Sequence, residues 1–130
     1  MHKTVIDTNV IISAAITERG NPSKIINLAF DKAFEVYYSA EIFTEYVNVL
    51  ARPQFNFDTE KQKYFIEGIK RAGILITPYQ SDIALPDESD RIFYDTAKES
   101  GAILITGNKK HYPADEIIMT PTEFLRLYDF

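Results

Sequence analysis

The chain has 130 residues, 45% of them hydrophobic and 25% charged, and a formal net charge of −5. That length suits one domain spanning residues 1–130 with a buried core. The absence of cysteine excludes disulfides and thiolate metal sites, and His2 and His111 alone cannot build a histidine-rich zinc centre, so any metal here is held mainly by oxygen. No apolar stretch approaches the roughly 20 residues needed to cross a bilayer. The amino terminus opens on a strand rather than a basic and apolar leader, so a cytoplasmic protein with no membrane contact is expected. Negative charge argues against gripping nucleic acid by bulk electrostatics, although acids in one cleft can coexist with basic rims.

The first element is the run Thr4-Val5-Ile6, which stops at Asp7 and reads as a buried strand delivering an acid to its carboxyl end. Thr8 and Asn9 are expected to turn the chain and cap a helix bearing Val10, Ile11, Ala14 and Ala15. After the turn-rich stretch Glu18 to Pro22, Ser23 is expected to cap a helix carrying Ile25, Ile26, Leu28, Ala29 and Ala33. Phe34 to Tyr38 is a second strand, and Ser39 opens a helix whose Ile42, Phe43, Tyr46, Val47, Val49 and Leu50 form one apolar arc. Glu45 lies at the edge of that arc.

Arg52-Pro53 ends this helix, since the residue before proline disfavours helical torsions. The next begins at Asp58 or Thr59 and stops near Gly73. Ile74 to Thr77 forms the third strand, Pro78 to Pro86 an irregular connection, and Asp87-Glu88-Ser89-Asp90 crowds the start of a helix ending near Gly101. Ala102 to Thr106 forms the fourth strand, Gly107-Asn108 a turn and Ile117 to Met119 a fifth strand, before Thr120-Pro121-Thr122-Glu123 supplies a capping box for the last helix. Strands alternating with helices predict an α/β fold with a mainly parallel sheet covered on both faces.

Asp7, Glu45, Asp87 and Asp90, with Asn108 as a further oxygen donor, fall near strand ends or on facing helix edges. Carboxylates gathered without a cation repel one another, so a hard divalent ion is the natural compensation. Read singly, Glu45 is a solvated helix edge and Asp87 a helix cap. Asp95 is about 140° around the helix from Asp90 and is treated as peripheral. Tyr37, Tyr38, Phe43 and Phe93 sit in apolar periodic segments and read as core rather than as base-stacking platforms.

Val5-Ile6-Asp7-Thr8-Asn9, Glu45, the run Asp90 to Ala97 and the run Leu104 to His111, in this order and spacing, resemble the PIN-domain ribonucleases. Many of these are the toxin half of bacterial and archaeal toxin-antitoxin pairs. The resemblance covers nearly the whole chain and implies a three-layer α/β/α domain whose mainly parallel sheet has roughly five strands. It further implies that Asp7, Glu45 and Asp90 are catalytic and bind Mg²⁺ or Mn²⁺, with Asn108 as a ligand where many relatives carry another Asp. The implied substrate is RNA and the implied partner a small antitoxin, while a homodimer stays open.

In that reading Thr8 and Asn9 orient Asp7, Thr106 orders the Asn108 loop, and Asp87 supports the acid cluster. Lys109, Lys110, His111 and Arg52 contact RNA phosphates. Two other readings compete. An aspartyl-phosphate phosphatase or receiver would use Asp7 as nucleophile or metal ligand, but lacks its second acid at Asn9. A catalytically silent PIN-like module would bind RNA or protein without cleaving, which the neutral Asn108 keeps open.

Overall fold

Thr4, Val5 and Ile6 are all fully buried, because the strand that carries them runs through the middle of a covered sheet. The computed structural model describes residues 1–130. Strand β1 (Lys3–Ile6) leads to helices α1 (Thr8–Ile16) and α2 (Asn21–Phe30), and then to β2 (Glu35–Tyr38). Helices α3 (Ala40–Leu50) and α4 (Thr59–Ala72) precede β3 (Gly73–Leu75), and α5 (Arg91–Ser100) precedes β4 (Ile103–Ile105). The chain closes with β5 (Ile118–Met119) and α6 (Pro121–Leu127).

All five strands are parallel, in the order β3-β2-β1-β4-β5, as the sequence predicts for an α/β sheet. Right-handed crossovers that step outward to β3 and then back to β4 lie on opposite faces. Thus α1 packs on α2 and α3, and α2 on α4 and α6, while α5 lies against β1, β2 and β4. Each fully buried Ile or Leu, such as Ile6, Ile25, Ile42 and Leu104, contributes about 1.5–3 kcal/mol. A helix cap contributes about 1 kcal/mol. Packing therefore holds the helices, and caps set where they begin.

Several caps differ from expectation. Asp7, in extended conformation, caps α1 by accepting the Asn9 N–H, so Thr8 and Asn9 are already helical and the strand enters the helix with no intervening turn. Gly20 precedes α2 at φ +116°, a conformation open to glycine, and Ser23 is not the cap. The Ser23 hydroxyl instead bonds the carbonyls of Ala14 and Thr17, tying the end of α1 to α2. Ser39, Asp58 and the Thr120/Glu123 capping box act as the sequence predicts. Val47 is 41% exposed and leaves the expected arc. The strands are shorter than the apolar runs, but single ladder bonds continue past their ends, from Ile76 N–H to Tyr38 O and from Thr106 N–H to Met119 O, each at 2.9 Å.

Candidate functional site

Asp7 stands at the carboxyl end of β1, beside β4, where the strand order reverses. Open α/β sheets collect ligands at such a crevice. Its backbone N–H donates to Ile105 O at 2.9 Å, which fixes the Cα before any side-chain contact is made. The carboxylate is nearly buried, and Oδ2 accepts from the Thr106 hydroxyl and the Tyr112 phenol, both at 2.9 Å. Oδ1 accepts one longer bond, from Asn9 N–H at 3.3 Å.

Thr106 Oγ1 in turn accepts from Asn9 Nδ2 at 3.2 Å and from Asn108 N–H at 3.1 Å, while Gly107 N–H donates to Asn9 Oδ1 at 2.9 Å. Asn9 and Thr106 thus knit the start of α1 to the loop after β4. Thr8 is different. Its hydroxyl donates to Glu45 Oε2, because α1 packs on α3 and its first turn faces that helix rather than Asp7. Burial raises the Glu45 pKa, the Thr8 hydrogen bond lowers it, and the Asp7 charge raises it again. Arg52, exposed just beyond α3, partly offsets that charge.

Asp90 enters the same cleft from the start of α5. Burial and then the Asp7 charge push its pKa up to about 6, with Asp87 and Glu45 adding and His111 opposing. Asp87 is exposed and caps the short 3-10 turn Glu88–Asp90, accepting from Ser89 N–H at 2.9 Å; that bond and the Ser89 hydroxyl lower its pKa. Arg91 donates to Glu88 and to the carbonyls of Ser81 and Ile83, and Asp95 accepts from Ser81, so the irregular 76–87 stretch is strapped to α5. Asp95 is therefore a structural anchor.

The remaining sequence candidates divide. Asn108 behaves as a turn residue, its Oδ1 accepting from Lys110 N–H at 3.2 Å and its Nδ2 lying 3.0 Å from His111 Nε2. His111 stays exposed at the cleft edge, with Nδ1 3.5 Å from Asp90 Oδ2. Lys109 is paired with Glu123 at 3.2 Å, and Lys110 is exposed. Two tyrosines matter beyond the sequence reading, which takes Tyr46 only as part of an apolar arc and does not single out Tyr112. Tyr46, fully buried, donates to Ile6 O and so braces the end of β1, and Tyr112 reaches Asp7. The available signal was chemical: a buried phenol needs an acceptor, and Tyr46 directly follows Glu45.

No three carboxylate or imidazole groups close into a ready metal cluster, so the oxygen cage expected from the sequence is not assembled as such. The donors nonetheless suit a hard cation. Asp90 Oδ2 is buried without any hydrogen-bond partner, its proton affinity raised by the charges of Asp7, Asp87 and Glu45, and a Mg²⁺ or Mn²⁺ would satisfy it. The larger concavities lie elsewhere, for example a groove of about 420 Å³ lined by Ala14, Ile26, Lys61 and Phe65. No helix is long and apolar enough to cross a membrane.

Residues 3–110 match the family described as the PIN domain, whose members are generally nucleases. A protein of Methanocaldococcus jannaschii named "Uncharacterized protein MJ1680" is 30% identical over 142 residues, spanning 98% of this chain and 92% of its own length. With acids from β1, α3 and α5 meeting beside a fully parallel sheet, and with most of its length matched, the chain belongs to the PIN-domain family.

Proposed function

We propose that the protein is a Mg²⁺- or Mn²⁺-dependent endoribonuclease and the toxin of a toxin-antitoxin pair. The observation that carries this reading is the orphaned Asp90 Oδ2, held among other acids with its proton affinity raised. Asp7, Glu45 and Asp90 would hold the ion, with Asn108 beside them. Bound there, it supplies an activated water and offsets charge on the phosphate. The chain's own work is to keep Asp7 fixed through Thr106 and Tyr112 and Glu45 through Thr8. Arg52 and Lys110 would receive flanking phosphates, with Lys109 joining them on release from Glu123. A small antitoxin would silence the site by covering the cleft.

The test is cleavage of a defined single-stranded RNA by purified protein, with Mn²⁺ or Mg²⁺ added after chelation and with Asp90→Asn as a contamination control. Metal-dependent cleavage lost in the variant supports the reading; equal cleavage by both sinks it. Growth arrest on expression, relieved by a neighbouring gene's product, tests the toxin half. One observation favours a second reading: the Asn108 carboxamide is already engaged by Lys110 and His111, leaving the site short of a ligand. A silent RNA-binding module would retain RNA in a gel shift and cleave none.

A further inference from the structure

Asp7 has an asymmetry that the proposed reaction does not require. The Thr106 hydroxyl accepts from Asn9 Nδ2 and Asn108 N–H, so both its lone pairs are filled and its single proton is directed at Asp7 Oδ2. The Tyr112 phenol brings a second proton to the same oxygen at 2.9 Å. Two donors occupy both in-plane lone pairs of Oδ2, whereas Oδ1 accepts only the 3.3 Å bond from Asn9. One oxygen of this carboxylate is closed, and the other keeps a free lone pair.

Tyr112 is suited to enforce that division. Its ring is 4% exposed and belongs to the core, and its N–H is bonded to Lys109 O at 3.1 Å at the end of the 3-10 turn Lys109–His111. The phenol therefore cannot swing away without unpacking the ring. Burial and the adjacent Asp7 charge both raise its proton affinity, so it remains a donor.

We infer that Tyr112, acting with Thr106, is a positioning residue that reserves Asp7 Oδ1 for a cation and thereby selects a small six-coordinate ion over Ca²⁺. Mg²⁺ and Mn²⁺ are satisfied by single carboxylate oxygens and water, whereas Ca²⁺ takes more ligands and profits from a carboxylate that offers both oxygens. Closing Oδ2 withholds that second oxygen. This inference rests on the reading that a divalent ion binds beside Asp7.

The experiment is calorimetric titration of Mn²⁺ and of Ca²⁺, separately, into chelator-treated full-length protein, wild type and Tyr112→Phe, with Asp7→Asn as the site control. Tyr112→Phe keeps the ring and leaves Oδ2 with the Thr106 hydroxyl as its one donor, so that a lone pair opens to the ion. Mn²⁺ affinity should fall about tenfold, while Ca²⁺ affinity holds or rises, so the Mn²⁺ to Ca²⁺ ratio drops. General loosening would weaken both ions alike, and an unchanged ratio in the folded variant overturns the inference. Thr106→Val removes the other donor and decides by the same ratio should Tyr112→Phe fail to fold. If Asp7→Asn itself leaves Mn²⁺ binding at the wild-type level, the cation reading fails rather than the role of Tyr112.

Discussion

The two sides of the cleft are built on opposite plans. Asp7 arrives on a central strand and has its carboxylate held by donors from Thr106, Tyr112 and Asn9. Asp90 arrives on a short turn, strapped from behind by Arg91 and Ser81, and its Oδ2 receives no hydrogen bond. The Asp7 side is complete as folded. The Asp90 side carries a desolvated carboxylate with no hydrogen bond to Oδ2, and only His111 Nδ1, 3.5 Å away, stands near to offset it. Proteins rarely bury such an oxygen unpartnered, so the difference separates the half of the site that positions from the half that waits.

The largest expected effect tests whether both halves serve one ion. Asp7→Asn, Glu45→Gln and Asp90→Asn should each reduce metal-dependent RNA cleavage at least about a hundredfold, consistent with the loss of a charged ligand. Initial rates on the purified variants measure it, and wild-type rates in all three would remove the shared site.

The next effect distinguishes the halves without metal. Because the folded-state pKa of Asp90 is raised to about 6, the stability due to its neutral form is fully present below its ordinary value and is lost as pH rises through about 6. Asp90→Asn, permanently neutral, should therefore stabilise the chelated protein at pH 7.5 by about 1–2 kcal/mol, discounted for the solvent on the cleft side. The gain should vanish near pH 4. Urea unfolding at the two pH values reads the difference, and an equal gain at both would contradict the charge explanation.

A smaller change is expected at Asn108. Asn108→Asp adds a charge to the waiting half and should tighten Mn²⁺ binding, whereas Asn108→Ala should raise the metal concentration needed for cleavage. If both variants follow the wild-type metal curve, Asn108 is only the turn residue its bonds to Lys110 and His111 describe. Smallest of all, Thr8→Val removes the hydrogen bond that lowers the Glu45 pKa, so the acidic limb of the cleavage profile should move to higher pH. A profile superimposable on wild type would make that bond incidental.

The contrast also marks what could be read without coordinates. The parallel sheet was legible because β1 is apolar without alternation and because Ser39, Asp58 and the Thr120/Glu123 pair announce helix starts through local chemistry. The acids were legible as acids at element ends. Contacts decided by helix crossing or distant docking were not: Thr8 bonds Glu45, 37 positions away, and Tyr112 bonds Asp7 across 105. Gly68 shows the same limit. A Cβ there would lie 2.3 Å from Phe30 Cε2, so its purpose is the close approach of α2 and α4, which no local pattern announces.

The pairing of β1 with β4 has a consequence for the order in which a cell could make this protein. Asp7 precedes Thr106 by 99 positions and Tyr112 by 105, yet their hydroxyls are what hold it. A chain that has emerged only to Gly101 already contains Asp7, Glu45 and Asp90, yet β1 has no neighbour on its β4 edge and Asp7 lacks both donors to Oδ2. Such long-range closure comes late in folding. The cleft can therefore take shape only after Thr106 and Tyr112 have been added, and a chain cut before them carries the acids of the site without its geometry.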